Sequence, residues 1–196
     1  MKKIIAILAI LTMTASLVSC GGRSGSSPTD HAENQEAPLT GSVSGDTGNN
    51  ETAAPVDAGQ LDFSTTDIDG NAFTVDDLKD AKVVMVNFWE PWCGPCVGEI
   101  GDLAKLYEEY KDRGFLIIGA YSTEGMDDDV RSVIEKNGVS YPVIRSGGNM
   151  SEFMTAYVPT TVFADGSGRI ISAEPEIGAH SYDEWKTIIE NYLAQQ

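Results

Sequence analysis

The 196-residue chain sets 13 basic against 30 acidic side chains, a net charge of −17 at pH 7. That balance excludes binding to nucleic acid or anionic lipid through charge, and it favours a soluble, self-repelling domain. Three cysteines and two histidines leave few ligands for a metal centre.

Met1-Lys2-Lys3 followed by the apolar run Ile4 to Val18 reads as an export signal with a basic start. The run is shorter than the roughly 20 residues that a membrane span takes. It ends in Leu17-Val18-Ser19-Cys20-Gly21, which resembles a bacterial lipobox. That resemblance implies removal of residues 1–19 and lipidation of the Cys20 sulfur, with the charge moving from −17 to −19 as Lys2 and Lys3 leave. A two-chain lipid anchors stably where one acyl chain would be marginal. Residues 20–60 then read as an acidic, disordered tether rich in Gly, Ser, Thr, Asn, Pro and Ala, without apolar periodicity. A flexible chain of roughly 40 residues has an r.m.s. span of about 35 Å. His31 and the acceptor-like triplet Asn50-Glu51-Thr52 belong to this linker.

Residues 61–196 are long enough for one domain with its own core. Phe63 to Asp67 and Ala72 to Thr74 flank Asp69-Gly70 as a hairpin, and Thr74 to Asp77 cap a short helix. Lys82 to Phe88 is apolar and β-branched, a strand buried on both faces. Ile100, Leu103, Leu106, Tyr107 and Tyr110 recur at helical spacing, so a helix begins near Cys93. Phe115 to Tyr121 is a second buried strand, and Asp127 to Asn137 a helix stopped by Gly138. The acids Asp127, Asp128 and Asp129 read as helix-start charge rather than metal ligands. Tyr141 to Ile144 is extended, Asn149 to Tyr157 a short helix, and Thr160 to Ala164 with Arg169 to Ser172 a hairpin around Asp165 to Gly168. Ser181 to Glu184 form a capping box for a last helix with Trp185, Ile188, Ile189 and Tyr192 inside. The expected architecture is α/β, a mixed central sheet with helices on both faces.

The chemistry gathers at Trp92-Cys93-Gly94-Pro95-Cys96. Two thiols two residues apart at a helix start form a reversible disulfide switch. Unpaired N–H groups and the helix dipole favour the Cys93 thiolate over a free cysteine, whose pKa is about 8.5. Cys93 is thus the candidate nucleophile and Cys96, one turn inward, the candidate resolving thiol. Pro95 stiffens the first turn without losing a needed hydrogen bond. A zinc half-site would need two further Cys or His ligands, and His31, His180 and Cys20 are poor candidates.

The string Val86 to Glu99 is similar to the TlpA/ResA/DsbE branch of membrane-anchored thiol–disulfide oxidoreductases, within the thioredoxin-like superfamily. The resemblance spans roughly Leu61 to the C-terminus. It implies a thioredoxin-like fold with an inserted helix and extended segment after the second buried strand. Thioredoxins proper carry a buried Asp where this chain has Asn87, whereas the TlpA-like branch often pairs Asn there with a Glu three residues after the second Cys, matched by Glu99. In the family that carboxylate lies near the cysteines and affects their proton transfer. Val158-Pro159 matches the family's cis-proline, which would turn the Val158 backbone toward Cys93 to pair with an extended substrate. Cys93, Cys96, Glu99 and Pro159 are thereby the implied catalytic residues, and Trp92, Gly94, Pro95 and Val158 the substrate-binding ones. The chain departs from the family at Val97, Gly98 and Gly101, where basic residues and a proline are usual. Glycine inside a helix costs about 1 kcal/mol relative to alanine, so this turn is either loose or closely approached by a partner.

The function implied is a monomeric, lipid-anchored reductase on the extracytoplasmic face of a bacterial cell membrane, needing no cofactor and no metal. Its clients would be disulfide-bearing exported proteins, among them apocytochrome c in cytochrome c biogenesis or a methionine sulfoxide reductase. A membrane thiol transporter of the CcdA/DsbD kind would re-reduce it. Two alternatives share the fold. A thiol peroxidase usually has Thr or Ser three residues before its peroxidatic Cys, where this chain has Glu90. A copper-binding module would use a Cys-x-x-x-Cys with a distal His, whereas the spacing here is two and His180 follows the terminal hairpin.

Overall fold

The computed structural model describes residues 59–196, so the expected signal segment, Cys20 and nearly all of the expected tether lie outside the described residues. Backbone pairing begins at once: the Gly59 carbonyl accepts from Ile170 N–H at 2.9 Å, and Leu61 N–H donates to the Gly168 carbonyl at 2.8 Å. A small antiparallel hairpin follows, β1 (Ser64–Thr66) with β2 (Ala72–Thr74). The Asp67 carboxylate closes its turn by accepting from the N–H groups of Asp69 and Asn71. Asp77 accepts from both the N–H and the hydroxyl of Thr74, capping a 3₁₀ turn over Val75–Leu78.

The central sheet has five strands in the order β5 (Val143–Arg145), β4 (Phe115–Tyr121), β3 (Val83–Phe88), β6 (Thr160–Ala164) and β7 (Glu176–Ile177). The first three run parallel, and β6 and β7 are antiparallel additions. Every residue of β3 is buried, which is why its sequence shows no alternation. Helix α1 (Gly94–Tyr110) connects β3 to β4, α2 (Asp127–Asn137) connects β4 to β5, and α3 (Tyr182–Ala194) ends the chain. Gly138, at φ 64°, stops α2 in the left-handed conformation that glycine adopts without a Cβ clash.

The expectation of helices on both faces is met unevenly. Two crossovers of the same hand that step in one direction across a sheet must lie on the same side of it. Accordingly α1, α2 and α3 all pack on the face that carries Val83, Met85 and Ile117, through Ile100, Leu103, Val130, Trp185 and Ile189. The other face, with Val84, Val86, Phe88 and Ile118, is covered by Leu61, Phe63, Leu78 and Met150 from the hairpin region and two 3₁₀ turns. The stretch read as a helix over Asn149 to Tyr157 is only the 3₁₀ turn Met150–Phe153. Arg169 to Ser172 forms isolated bridges at Arg169 and Ile170 rather than a hairpin strand. The edge position beside β6 belongs instead to two-residue β7, too short to leave a period in the sequence. The helix and extended segment expected as an insertion are present as α2 and β5.

Candidate active site

The site lies where the carboxyl end of β3 meets the start of β6. Phe88 pairs with Thr160, so the antiparallel register places the residues just after β3 opposite those just before β6. Leaving β3, Trp89 N–H still bonds the Ala120 carbonyl, and Cys93 N–H closes a turn onto the Glu90 carbonyl at 3.0 Å. Cys93 is then the N-cap of α1, its sulfur 3.2 Å from the Cys96 N–H, with Pro95 in the first turn where no donor is required. The two cysteines are bonded, their Cα atoms 5.3 Å apart. Cys93 keeps 6% of its surface exposed and Cys96 none, so Cys93 is the more accessible of the two.

Across from them the Val158–Pro159 peptide is cis. The Val158 carbonyl oxygen lies 3.5 Å from Cys93 Sγ. The Pro159 carbonyl is held by Gly178 N–H at 2.9 Å, which ties this turn to the end of β7. Trp92 and Tyr157, the residues preceding Cys93 and Val158, are 61% and 70% exposed, and Gly94 and Pro95 are exposed beside them. Of the expected substrate-contacting residues, Trp92, Gly94 and Pro95 are thus exposed, whereas Val158 is half-buried with its carbonyl turned to Cys93.

Behind the disulfide, Glu99 is buried on α1, three residues from Cys96 and so on the same helical face. Its Oε1 accepts from Asn87 Nδ2 at 3.1 Å, and its Oε2 accepts from Trp185 Nε1 at 2.9 Å and from His180 N–H at 3.1 Å. Asn87 also donates to Thr161 Oγ1 at 3.0 Å, stitching β3, β6 and α1 together at one amide. Burial takes the carboxylate out of water and pushes its pKa above the ordinary value, while Trp185, His180 and Asn87 pull against that rise without cancelling it. The result is a carboxyl group able to hold a proton one turn beyond the buried thiol.

His180, which follows the terminal strand, is brought behind the disulfide to the buried carboxyl. Pairing of β7 with β6 brings His180 N–H onto Glu99, with the imidazole edge-on to Trp185 at 4.5 Å between centroids. His180 Nε2 is buried and lies 3.7 Å from the Glu176 carboxylate. Among the described residues no three potential metal ligands converge. The two helix glycines also separate: a Cβ at Gly101 would sit 3.1 Å from the Asn137 side chain of α2, whereas one at Gly98 would meet nothing. The close approach at Gly101 comes from within the chain.

Glu90 is the residue that sequence reading missed. It is 3% exposed, and its carboxylate accepts from the N–H and hydroxyl of Ser122 at 2.8 and 2.6 Å and from Thr123 N–H at 3.2 Å. An acid in an otherwise apolar run before the cysteines was the available signal; its partners lie more than thirty residues on, beyond reach of any local pattern.

The AhpC/TSA family signature matches residues 56–173. The chain belongs to that family. It is 32% identical over 133 residues to the thiol-disulfide oxidoreductase ResA of Bacillus thuringiensis (strain Al Hakam), covering 67% of this chain and 72% of that one. The ResA of Oceanobacillus iheyensis is 31% identical over 139 residues, 70% of each chain. Among solved structures, a thiol:disulfide interchange protein of the thioredoxin family from Chlorobium tepidum superposes with a TM-score of 0.59 at 27% identity, over 70% of this chain and 99% of that one. The fold is thioredoxin-like, and with these relatives the chain is a thiol–disulfide oxidoreductase. No helix among the described residues is long and apolar enough to cross a membrane.

Proposed function

We propose that the chain reduces disulfides of exported proteins through Cys93 and Cys96, while tethered by a lipid on Cys20 to the outer face of the cell membrane. The observation that carries this reading is the asymmetry of the pair: an accessible Cys93 against the Val158 carbonyl, and a buried Cys96 backed by a buried carboxyl. In the reduced protein, the Cys93 thiolate attacks one sulfur of a client disulfide, forming a mixed disulfide and releasing the other client sulfur as thiolate. Cys96 then gives up its proton, for which Glu99 is the nearest acceptor by sequence spacing, and attacks Cys93 Sγ. The second client thiol leaves, and two electrons have passed from the cysteine pair to the client. A membrane thiol transporter of the CcdA/DsbD kind restores the dithiol. The signal segment, the 20–60 tether and the Cys20 anchor belong to this proposal.

Equilibration against a dithiothreitol or glutathione couple is expected to give a potential near that of thioredoxin, about −270 mV, in keeping with a reductant. A value near about −120 mV, that of a strong oxidant, would overturn the direction assigned here. The anchor is tested separately. Cells fed labelled palmitate are expected to incorporate label into the wild-type protein and not into Cys20→Ala, and an unlabelled wild-type protein sinks the lipid assignment.

A further inference from the structure

Glu90 stands apart from the thiol chemistry, yet its surroundings are built. In a parallel pair the carboxyl ends of the two neighbouring strands lie side by side, so the loops that leave them are adjacent. Here β3 exits through Trp89 to Trp92, and its parallel neighbour β4 exits through Ser122 and Thr123. The N–H groups of Ser122 and Thr123 point toward the buried Glu90 carboxylate, which accepts both and the Ser122 hydroxyl as well. Thr123 then uses its own hydroxyl oxygen to accept from Trp92 Nε1 at 3.1 Å. The links close a ring: Glu90 side chain, the 122–123 loop, the Trp92 indole, and two peptide units back to Glu90.

Trp92 is 61% exposed and immediately precedes Cys93, so its indole has little packing to hold it. Through Thr123 it is held by hydrogen bonding to a loop that Glu90 pins from beneath. We infer that Glu90 is a positioning residue for client recognition, fixing through Ser122 and Thr123 the orientation of the Trp92 indole on the face that receives the client disulfide. It touches neither sulfur. Its effect falls on protein clients, which cover the indole, and spares a small disulfide that reaches only Cys93. This inference rests on the reading of Cys93 as the attacking thiol.

The test compares insulin with the small disulfide 5,5′-dithiobis(2-nitrobenzoate) as oxidants of the reduced full-length protein. In Glu90→Gln, an amide donor replaces one acceptor oxygen. KM for insulin is expected to rise roughly five- to tenfold, the scale of one lost hydrogen bond, with kcat changed less than about twofold. Thr123→Val, which removes the indole's acceptor but keeps the N–H that Glu90 binds, is expected to raise KM in the same direction. The double variant should be no worse than the more severe of the two single variants, since both act through one link. An unchanged insulin KM in Glu90→Gln, an equal loss with the small disulfide, or full additivity in the double variant overturns the inference. Should Glu90→Gln fail to fold, Thr123→Val decides alone, by raising the insulin KM or leaving it unchanged. A wild-type protein that reduces neither oxidant defeats the proposed function instead.

Discussion

Replacing Cys96 with alanine is expected to turn the protein from a turnover catalyst into a covalent trap. Cys93 retains its place at the N-cap of α1, its sulfur facing both the helix's unpaired N–H groups and the Val158 carbonyl, so attack on a client disulfide proceeds. Release does not. Resolution by Cys96 is intramolecular, and well-oriented intramolecular reactions reach effective concentrations of about 10⁵ M. An external thiol at millimolar concentration cannot replace that, and multiple-turnover insulin reduction should fall by about a thousandfold or more. The same variant expressed in cells should accumulate mixed disulfides visible on non-reducing gels, with clients identifiable by mass spectrometry. Cys93→Ala should abolish turnover and form no adduct, because Cys96 is fully buried. Adducts through Cys96 in Cys93→Ala, as abundant as those through Cys93 in Cys96→Ala, would contradict the assigned order of attack.

The second large effect is expected at Glu99. Proton transfer by a positioned carboxyl contributes about 10²- to 10⁴-fold to a rate. Glu99→Gln should therefore slow resolution of the mixed disulfide by roughly a hundredfold and remove a carboxyl-dependent limb from the pH profile of kcat, while alkylation of Cys93 changes far less. The fold tolerates the change on hydrogen-bonding grounds. The glutamine oxygen can accept from Trp185 and His180, and its amide can donate to Asn87 once that side chain flips, with the Thr161 hydroxyl then donating in turn. Unchanged turnover and pH profile in Glu99→Gln would leave the carboxyl without a part in catalysis.

Stability gives an independent readout of the same group. Burial raises the Glu99 pKa in the folded chain, so between the unfolded and folded values the folded state binds more protons than the unfolded one. The contribution to stability is therefore complete below the ordinary carboxylate range and is lost as pH rises through the raised folded value. Denaturant titrations across the acidic to neutral range should show this decline in the wild type and not in Glu99→Gln, so that the wild-type minus variant difference falls across that window and is flat above it. A difference that moves the opposite way with pH would mean that the hydrogen bonds from Trp185, His180 and Asn87 outweigh desolvation.

Much of this molecule is decided by residues close together in sequence. The unbroken apolar run of β3, the capping residues Thr74, Asp77, Ser181 and Glu184, the glycine after α2, and the cysteine pair at a helix start each act within a few residues, so their outcome is legible before the chain folds. The family-derived residues Glu99, Pro159 and Val158 are legible only by likeness. What the tertiary structure alone decides are pairings across long separations. Strand β7 is two residues long and exists because β6 offers it an edge, and that pairing carries His180 to Glu99 across 81 positions. Glu90 reaches Ser122 because β3 and β4 run parallel and end together. A buried carboxyl needs donors wherever the fold can supply them, and no periodicity, cap or motif near Glu90 or Glu99 records which distant N–H groups those will be.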